Sequence, residues 1–238
     1  MIDAHFRKLR KRDTISAQEE RAVRGLVAET RRARPHQTLV RKGELVHQSM
    51  LLVDGWLGRA VDLQSGERVF TELHVPGDFA DLHGFTLKRL DHDLVALADS
   101  TVAIVPHERL VGLTRDFPHI GRVYWFSTNV DAAIHRQWLV SIGRSAAARM
   151  AHLFCELFLR LEVAGLTRGP TYDFPITQEQ LASCLNLTPV HVNRTLQALR
   201  RDGLIEVANR QVTILDFPAL QERAEFDPSY LYLDRHPE

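Results

Sequence analysis

Arg194, Asn193, Gln197 and Arg201, with Val190 and His191 beside them, fall within one short stretch of the chain. Their side chains suit the edges of nucleic-acid bases: a guanidinium bonds bidentately to guanine O6 and N7, a carboxamide pairs with adenine, and an arginine near a helix end meets phosphate. For that chemistry they must share one helical face. Val192, Leu196 and Leu199 recur at i, i+4 and i+7 and turn inward, which leaves Val190, Arg194, Gln197 and Arg201 on the opposite side, flanked by His191 and Asn193.

The residues before and after specify how that face is held. Thr177 and Gln180 have the spacing of a capping box and start a first helix, whose apolar face is Leu181, Ala182 and Leu185. Asn186 tolerates the left-handed conformation and stops it. Thr188 then offers an N-cap hydroxyl and Pro189 occupies the first helical position of a second helix. So tight a break predicts a helix-turn-helix. Gly203, Leu204 and Ile205 end the second helix, and residues 205–215 read as two apolar runs around Asn209-Arg210, a hairpin. Together these predict a winged helix that binds double-stranded DNA, with Thr188, Val190, His191, Asn193, Arg194, Gln197 and Arg201 as its contact residues.

Composition bounds the rest. A chain of 238 residues with 45% hydrophobic and 25% charged residues is an ordinary globular chain of one to two domains. The formal net charge is zero, so any affinity for nucleic acid comes from local clusters such as residues 7–12, 31–34 and Arg200-Arg201. Cys155 and Cys184 are the only cysteines, each in a helical pattern, and they support neither a disulfide framework nor a cysteine-ligated metal cluster. No apolar stretch approaches ~20 residues and the basic N-terminus lacks an apolar core, so neither a membrane span nor a signal peptide is expected. A reducing cytoplasm is the expected compartment.

Residues 1–35 are polar with helical spacing and read as a helical lead-in. From 36 to 115 short β-type runs alternate with turns, and Gly43, Gly55, Gly66 and Gly77 recur every 11 or 12 residues, the spacing of an all-β barrel or jelly roll. From 116 to 145 the period becomes helical. Ile120, Val123, Val130, Ile134, Gln137 and Ser141 approximate an alternating three-four spacing with Ser127 as a weak member. That stripe either packs on the chain's own β-domain or forms a two-fold contact, and its length and position favour the second: Ile120, Val123, Val130 and Ile134 are the expected dimer interface. A further helix, roughly 146–163, directs Met150, Leu153, Phe154, Leu157 and Leu161 toward the winged helix, which completes a 146–216 unit. Residues 165–175 read as a turn-rich linker and 217–238 as a tail. The expected fold class is α+β: an N-terminal β-roll, a long dimerisation helix and a C-terminal winged helix-turn-helix.

That order of elements resembles the Crp/Fnr family of transcription regulators. Gly43-Glu44, Gly55 at a strand end, Pro76-Gly77-Asp78-Phe79, the run Thr-Val-Ala-Ile-Val-Pro at 101–106 and the helix-turn-helix with Arg194 carry the resemblance. It implies a homodimer on a pseudo-palindromic operator, an N-terminal sensor domain that reorients two reading helices, and RNA polymerase as a further partner.

The chain also departs from that family. Cyclic-AMP-binding members carry a Gly-Glu pair and an Arg-Ser or Arg-Thr pair after Pro-Gly; an ungapped alignment places Asp81-Leu82 and His92-Asp93 there. The phosphate-binding arginine is absent, and so is the cysteine set of oxygen-sensing members. Where members of this group commonly have Glu in the reading helix, this chain has Val190. The effector pocket expected on this alignment comprises Asp81, Leu82, His83, His92 and Asp93, and its effector is unidentified. His74, His83 and His92 beside Asp81 and Asp93 could assemble two histidines and a carboxylate around a metal or haem. No HxH or HExxH spacing occurs, so they read as hydrogen-bonded polar residues, and no metal or other cofactor is expected. No nucleophile elbow or other catalytic constellation is present, so no enzymatic activity is expected. The alternative from another class is a cupin-like metal- or ligand-binding barrel with a fused helical domain.

Overall fold

The computed structural model describes residues 1–234, so the last four positions of the segment read as a tail lie outside the described residues. In chain order the elements are α1 (Asp3–Arg12), α2 (Ala17–Arg24), β1 (Glu29–Ala33), β2 (Thr38–Val40), β3 (Gln48–Asp54), β4 (Leu57–Asp62), β5 (Arg68–His74) and α3 (Gly84–Leu87). Then come β6 (Asp93–Ala96), β7 (Ser100–Pro106), α4 (His107–Asp116), α5 (Pro118–Ile142), α6 (Ala146–Ala164), β8 (Thr167–Arg168) and β9 (Thr171–Asp173). The chain continues through α7 (Gln178–Leu185), α8 (Pro189–Arg201), β10 (Ile205–Ala208), β11 (Gln211–Ile214) and α9 (Phe217–Ala224) to a 3-10 turn at Pro228–Leu231.

Two antiparallel sheets make the β-roll, with strand orders β1-β7-β3 and β2-β6-β4-β5. Leu52, Leu57, Leu94, Val102 and Ile104 fill the space between them. Gly55 makes the turn out of β3 possible: its φ is +85°, and a Cβ there would lie 2.3 Å from the Asp99 carbonyl oxygen. The roll begins earlier than residue 36, because β1 pairs with β7 inside the stretch read as a helical lead-in. Four of the five β1 residues are exposed on this edge strand, so the segment shows no alternation to betray it.

A third, four-stranded sheet, β10-β11-β9-β8, backs the C-terminal helices. Two of its strands lie in the segment read as a linker: Tyr172 on β9 is buried and faces Val212 on β11 across the ladder. The Asn209-Arg210 turn falls where the sequence predicts it, with both residues at positive φ. Beyond residue 216 the chain is packed rather than trailing, since Leu220, Ala224, Phe226, Tyr230 and Leu231 join the same apolar cluster as α6.

Candidate nucleic-acid interface and sensor cavity

The helix-turn-helix is built as its residue types require. Thr177 Oγ1 accepts from the Gln180 amide at 3.2 Å and Gln180 Oε1 accepts from the Thr177 amide at 2.8 Å, closing the capping box. Asn186 takes φ 50°, ψ 53° at the end of α7. Thr188 accepts from the His191 amide at 3.2 Å and opens α8 with Pro189 in its first turn. Val192, Thr195, Leu196 and Leu199 are buried beneath the helix. Thr195, unassigned in the sequence, donates its hydroxyl to the His191 carbonyl at 2.8 Å and keeps a polar group satisfied in that inner face.

The outer face carries Val190, 78% exposed, with Asn193, Arg194, Gln197 and Arg201, while His191 is half-buried and Thr188 is an exposed cap. Among the described residues, neither Arg194 nor Arg201 has a hydrogen-bond or ion-pair partner, whereas Arg200 donates to the Val207 carbonyl and ties the helix to the β10–β11 hairpin. The N-terminus of α8 adds a positive dipole end, which favours phosphate. Arg210 at the exposed hairpin tip is a further cation that the helix-centred reading missed.

The long helix α5 presents a different face from the one expected. Ile120 is fully buried, Val123 and Ile134 are within 5% of full burial, and Val130 is half-buried, all inside one subunit. Ile120 and Val123 pack with Phe6, Leu9 and Leu110; Val130 and Ile134 face a cavity of about 160 Å³ between α1, α5 and the β-roll. The apolar stripe thus serves the subunit's own core: Ile120, Val123 and Ile134 are covered within the subunit, and Val130 is half covered. The exposed row of α5 is Arg122, Trp125, Asn129, Ala132, Arg136 and Leu139, with Val140 and Ile142 at its end. Trp125 is 70% and Leu139 68% exposed.

The expected effector pocket divides. Leu82 and His83 border the cavity, but Asp81, His92 and Asp93 do not. Asp81 turns into the roll, where Oδ1 accepts from the Met50 amide at 2.6 Å, and burial pushes its carboxyl up to about 7. His92 is buried against Asp91 at 2.7 Å. Asp93 accepts from the Lys42 amide at 2.7 Å and closes a surface turn. Of the five residues that the ungapped alignment gathers, this cavity is bordered by two, because Asp81 faces inward and the chain folds through α3 before His92 and Asp93.

Glu72, Asp78, Asp131 and Arg160 are among the charged groups that line the cavity, and Arg59 is paired with Glu72 and Asp131. Arg59 on β4 is buried, donates to the Ala80 carbonyl at 2.8 Å, and lies 2.7 Å from Glu72 Oε2 and 2.8 Å from Asp131 Oδ2. Burial works against the Arg59 charge, but Glu72 and Asp131 outweigh it and hold the guanidinium protonated. Burial also drives Glu72 well above the carboxylate range, against the pull of Arg59. Asp131 is held at about 2: Arg59 and the neighbouring groups overcome its own burial. His74 is driven well below its ordinary value by burial and then by Arg59. A charged residue inside an apolar strand, as in 57–61 and 69–75, was the one signal in the sequence for Arg59 and Glu72.

Asp78, from the Pro-Gly-Asp-Phe motif, acts as a joint. It takes Lys8 of α1 at 2.5 Å and Arg160 of α6 at 3.0 Å, and Arg160 also binds Glu156 at 2.9 Å and the Leu73 carbonyl at 2.7 Å. Gly77 beside it has φ +94°, and a Cβ would stand 2.8 Å from the backbone of Ala4.

A β-roll joined by a long helix to a winged helix with an exposed polar reading face defines a class of DNA-binding transcription regulators. The profile of the cyclic nucleotide-binding domain matches residues 30–116, and that of the Crp-like helix-turn-helix domain matches residues 148–223. The transcriptional activator protein FnrL of Cereibacter sphaeroides is 28% identical over 196 residues, covering 80% of this chain and 78% of that protein. The transcriptional activator protein FnrA of Stutzerimonas stutzeri is 22% identical over 204 residues, covering 85% and 83%. The solved structure of FixK2 from Bradyrhizobium japonicum superposes with a TM-score of 0.72 at 20% identity, over 90% of this chain and 100% of that one. The chain belongs to the Crp/Fnr family and is a DNA-binding transcription regulator. The cupin-like alternative is not favoured, since its fused helical part is a helix-turn-helix. Among the described residues no helix is long and apolar enough to cross a membrane.

Proposed function

We propose that this chain is a cytoplasmic homodimer that reads a pseudo-palindromic operator by inserting α8 of each subunit into successive major grooves and contacts RNA polymerase to activate transcription. The observation that carries the reading is the split of α8 into a buried face and an exposed one bearing Asn193, Arg194, Gln197 and Arg201. Val190, His191 and the Thr188 hydroxyl complete the surface, and Arg201, late in the helix, meets phosphate. Two chains pair along the exposed row of α5, where Arg122, Trp125, Asn129, Ala132, Arg136 and Leu139 recur at alternating intervals of four and three. Trp125 and Leu139 are too large and too exposed to be left to solvent. The activator names of the relatives FnrL and FnrA support the direction of regulation.

A genome-wide footprint of the bound protein tests this reading. It should return two inverted half-sites with centres about 34 Å apart. Bound sites without dyad symmetry would overturn it.

A further inference from the structure

Glu72 and His74 stand two apart on β5 and so share one face of the strand, and Asp131 and His135 stand four apart and share one face of α5. The two pairs meet where the helix crosses the strand. Donor atoms of Glu72, Asp131 and His135 all lie within 4.8 Å of one another, and His74 Nε2 lies 3.8 Å from Glu72 Oε2.

The group is incompletely satisfied as it stands. His74 is 1% exposed and its Nε2 has no hydrogen-bond partner; neither has Glu72 Oε1. The Arg59 guanidinium is close to Glu72 Oε2 but not in hydrogen-bonding alignment with it. His135 Nδ1 bonds the Asp131 carbonyl at 3.0 Å, an oxygen that only accepts, so the ring proton is on Nδ1 and the Nε2 lone pair faces Glu72 Oε2 at 3.3 Å. A histidine fixed in this way by a backbone carbonyl has the tautomer that ligates a metal through Nε2. Arg59 also borders the group, with Asp81 near its guanidinium. Arg160 of α6, the half-buried His83, and His92 and Asp91 on the His135 side also face this corner, and Arg160 is already engaged by Asp78 and Glu156.

We propose that Glu72, Asp131 and His135 bind one divalent first-row transition ion of the Fe²⁺-to-Zn²⁺ series entering from the adjoining cavity, with His74, beside Glu72, closing in as the fourth ligand. Two imidazoles and two carboxylates suit those ions, whereas Ca²⁺ and Mg²⁺ take all-oxygen shells. The ion bridges β5 to α5, the sensor sheet to the long helix. Given the DNA-reading function proposed above, it is the effector that fixes their relative seating.

The test uses the full chain, stripped with chelator and exchanged into metal-free buffer. Titration with Co²⁺ should develop visible d–d bands that saturate at one ion per chain, and Zn²⁺ should displace them. Glu72→Gln, Asp131→Asn, His74→Gln and His135→Gln should each weaken binding by about tenfold or more, while His47→Gln on the exposed surface leaves it unchanged. Each variant's circular dichroism without metal guards against misfolding. Absence of saturable bands in the wild type, or equal binding by Glu72→Gln and His135→Gln with native spectra, overturns the site. Anisotropy with operator DNA separates the two readings. Failed metal binding with intact DNA binding removes only the ion, whereas failure to bind any operator with or without Zn²⁺ removes the DNA-reading function.

Discussion

Phe70 of β5 donates its backbone N–H to the hydroxyl of Ser183 on α7 at 3.2 Å, and Ser183 in turn donates to the Arg68 carbonyl. β5 is the edge strand of its sheet, so the helix-turn-helix occupies hydrogen-bonding positions that another strand would otherwise take. The same strand carries Glu72 and His74. A shift of β5 relative to α5 is therefore felt directly at α7, the helix that supports the reading helix.

Arg194→Ala should weaken binding to the cognate operator by roughly 1–3 kcal/mol and leave random DNA nearly unaffected, because the lost bonds are to a base edge. Arg201→Ala should weaken both alike and lower the salt slope by about one ion. Gel-shift titrations on both duplexes check this. An equal loss on both DNAs for Arg194→Ala would make that residue a phosphate contact.

Leu139→Glu should give folded monomers, since it places a carboxylate in the exposed row of α5 where two chains pair, at an expected cost of several kcal/mol. Ile134→Glu should instead damage the fold, because Ile134 is 5% exposed within its own subunit. Light scattering together with thermal melts distinguishes the two. A stable dimer of Leu139→Glu would move the interface to another surface.

The metal-free chain should not bind cyclic AMP or cyclic GMP. Arg59 is taken up by Glu72, Asp131 and the Ala80 carbonyl, and Arg160 by Asp78, Glu156 and the Leu73 carbonyl, so neither buried guanidinium is left for a cyclic phosphate. Asp131, ionised at neutral pH, would add about 3 kcal/mol of repulsion at ~5 Å and an effective dielectric of about 20. That is roughly a hundredfold in affinity. Micromolar binding by calorimetry would show that the phosphate finds another cation.

Stability should fall as the pH drops from about 6.5 toward 4, in part through His5. This ring is buried between the Gly77 carbonyl at 2.9 Å and the Tyr124 hydroxyl at 3.3 Å, and burial lowers its pKa to about 4. Between the two pKa values the unfolded chain binds the proton and the folded one does not, so the contribution is present above 6.5 and is lost on acidification. The loss approaches about 3 kcal/mol near pH 4. The melting temperature of His5→Phe should therefore decline less than that of the wild type between pH 7 and 5. Parallel declines would exclude the ring as the titrating group.

The helix-turn-helix was legible almost residue by residue because its determinants are local: a capping box, a left-handed Asn186, an N-cap Thr188 before Pro189. The hairpin at Asn209-Arg210 was legible for the same reason. β1, β8 and β9 were not: β1 and β9 are short and drawn into place by strands far along the chain, and β8 is a two-residue edge strand that only follows β9. The α5 stripe was seen but assigned outward; periodicity finds an apolar face without saying whether the chain itself or a second copy covers it. Arg59, Glu72, Asp131 and His135 converge from two strands and a helix, a juxtaposition no local pattern encodes.

One apolar cluster runs without a break from Trp56 and Phe70 in the β-roll, through α6, to Tyr230 and Leu231, and the Trp56 ring meets Phe174 edge-on at 5.8 Å. Sensor and reading head are therefore not beads on a string but parts of a single cooperative folding unit. A calorimetric scan should register one endotherm with equal van't Hoff and calorimetric enthalpies, and destabilisation introduced in either half should lower the melting of both.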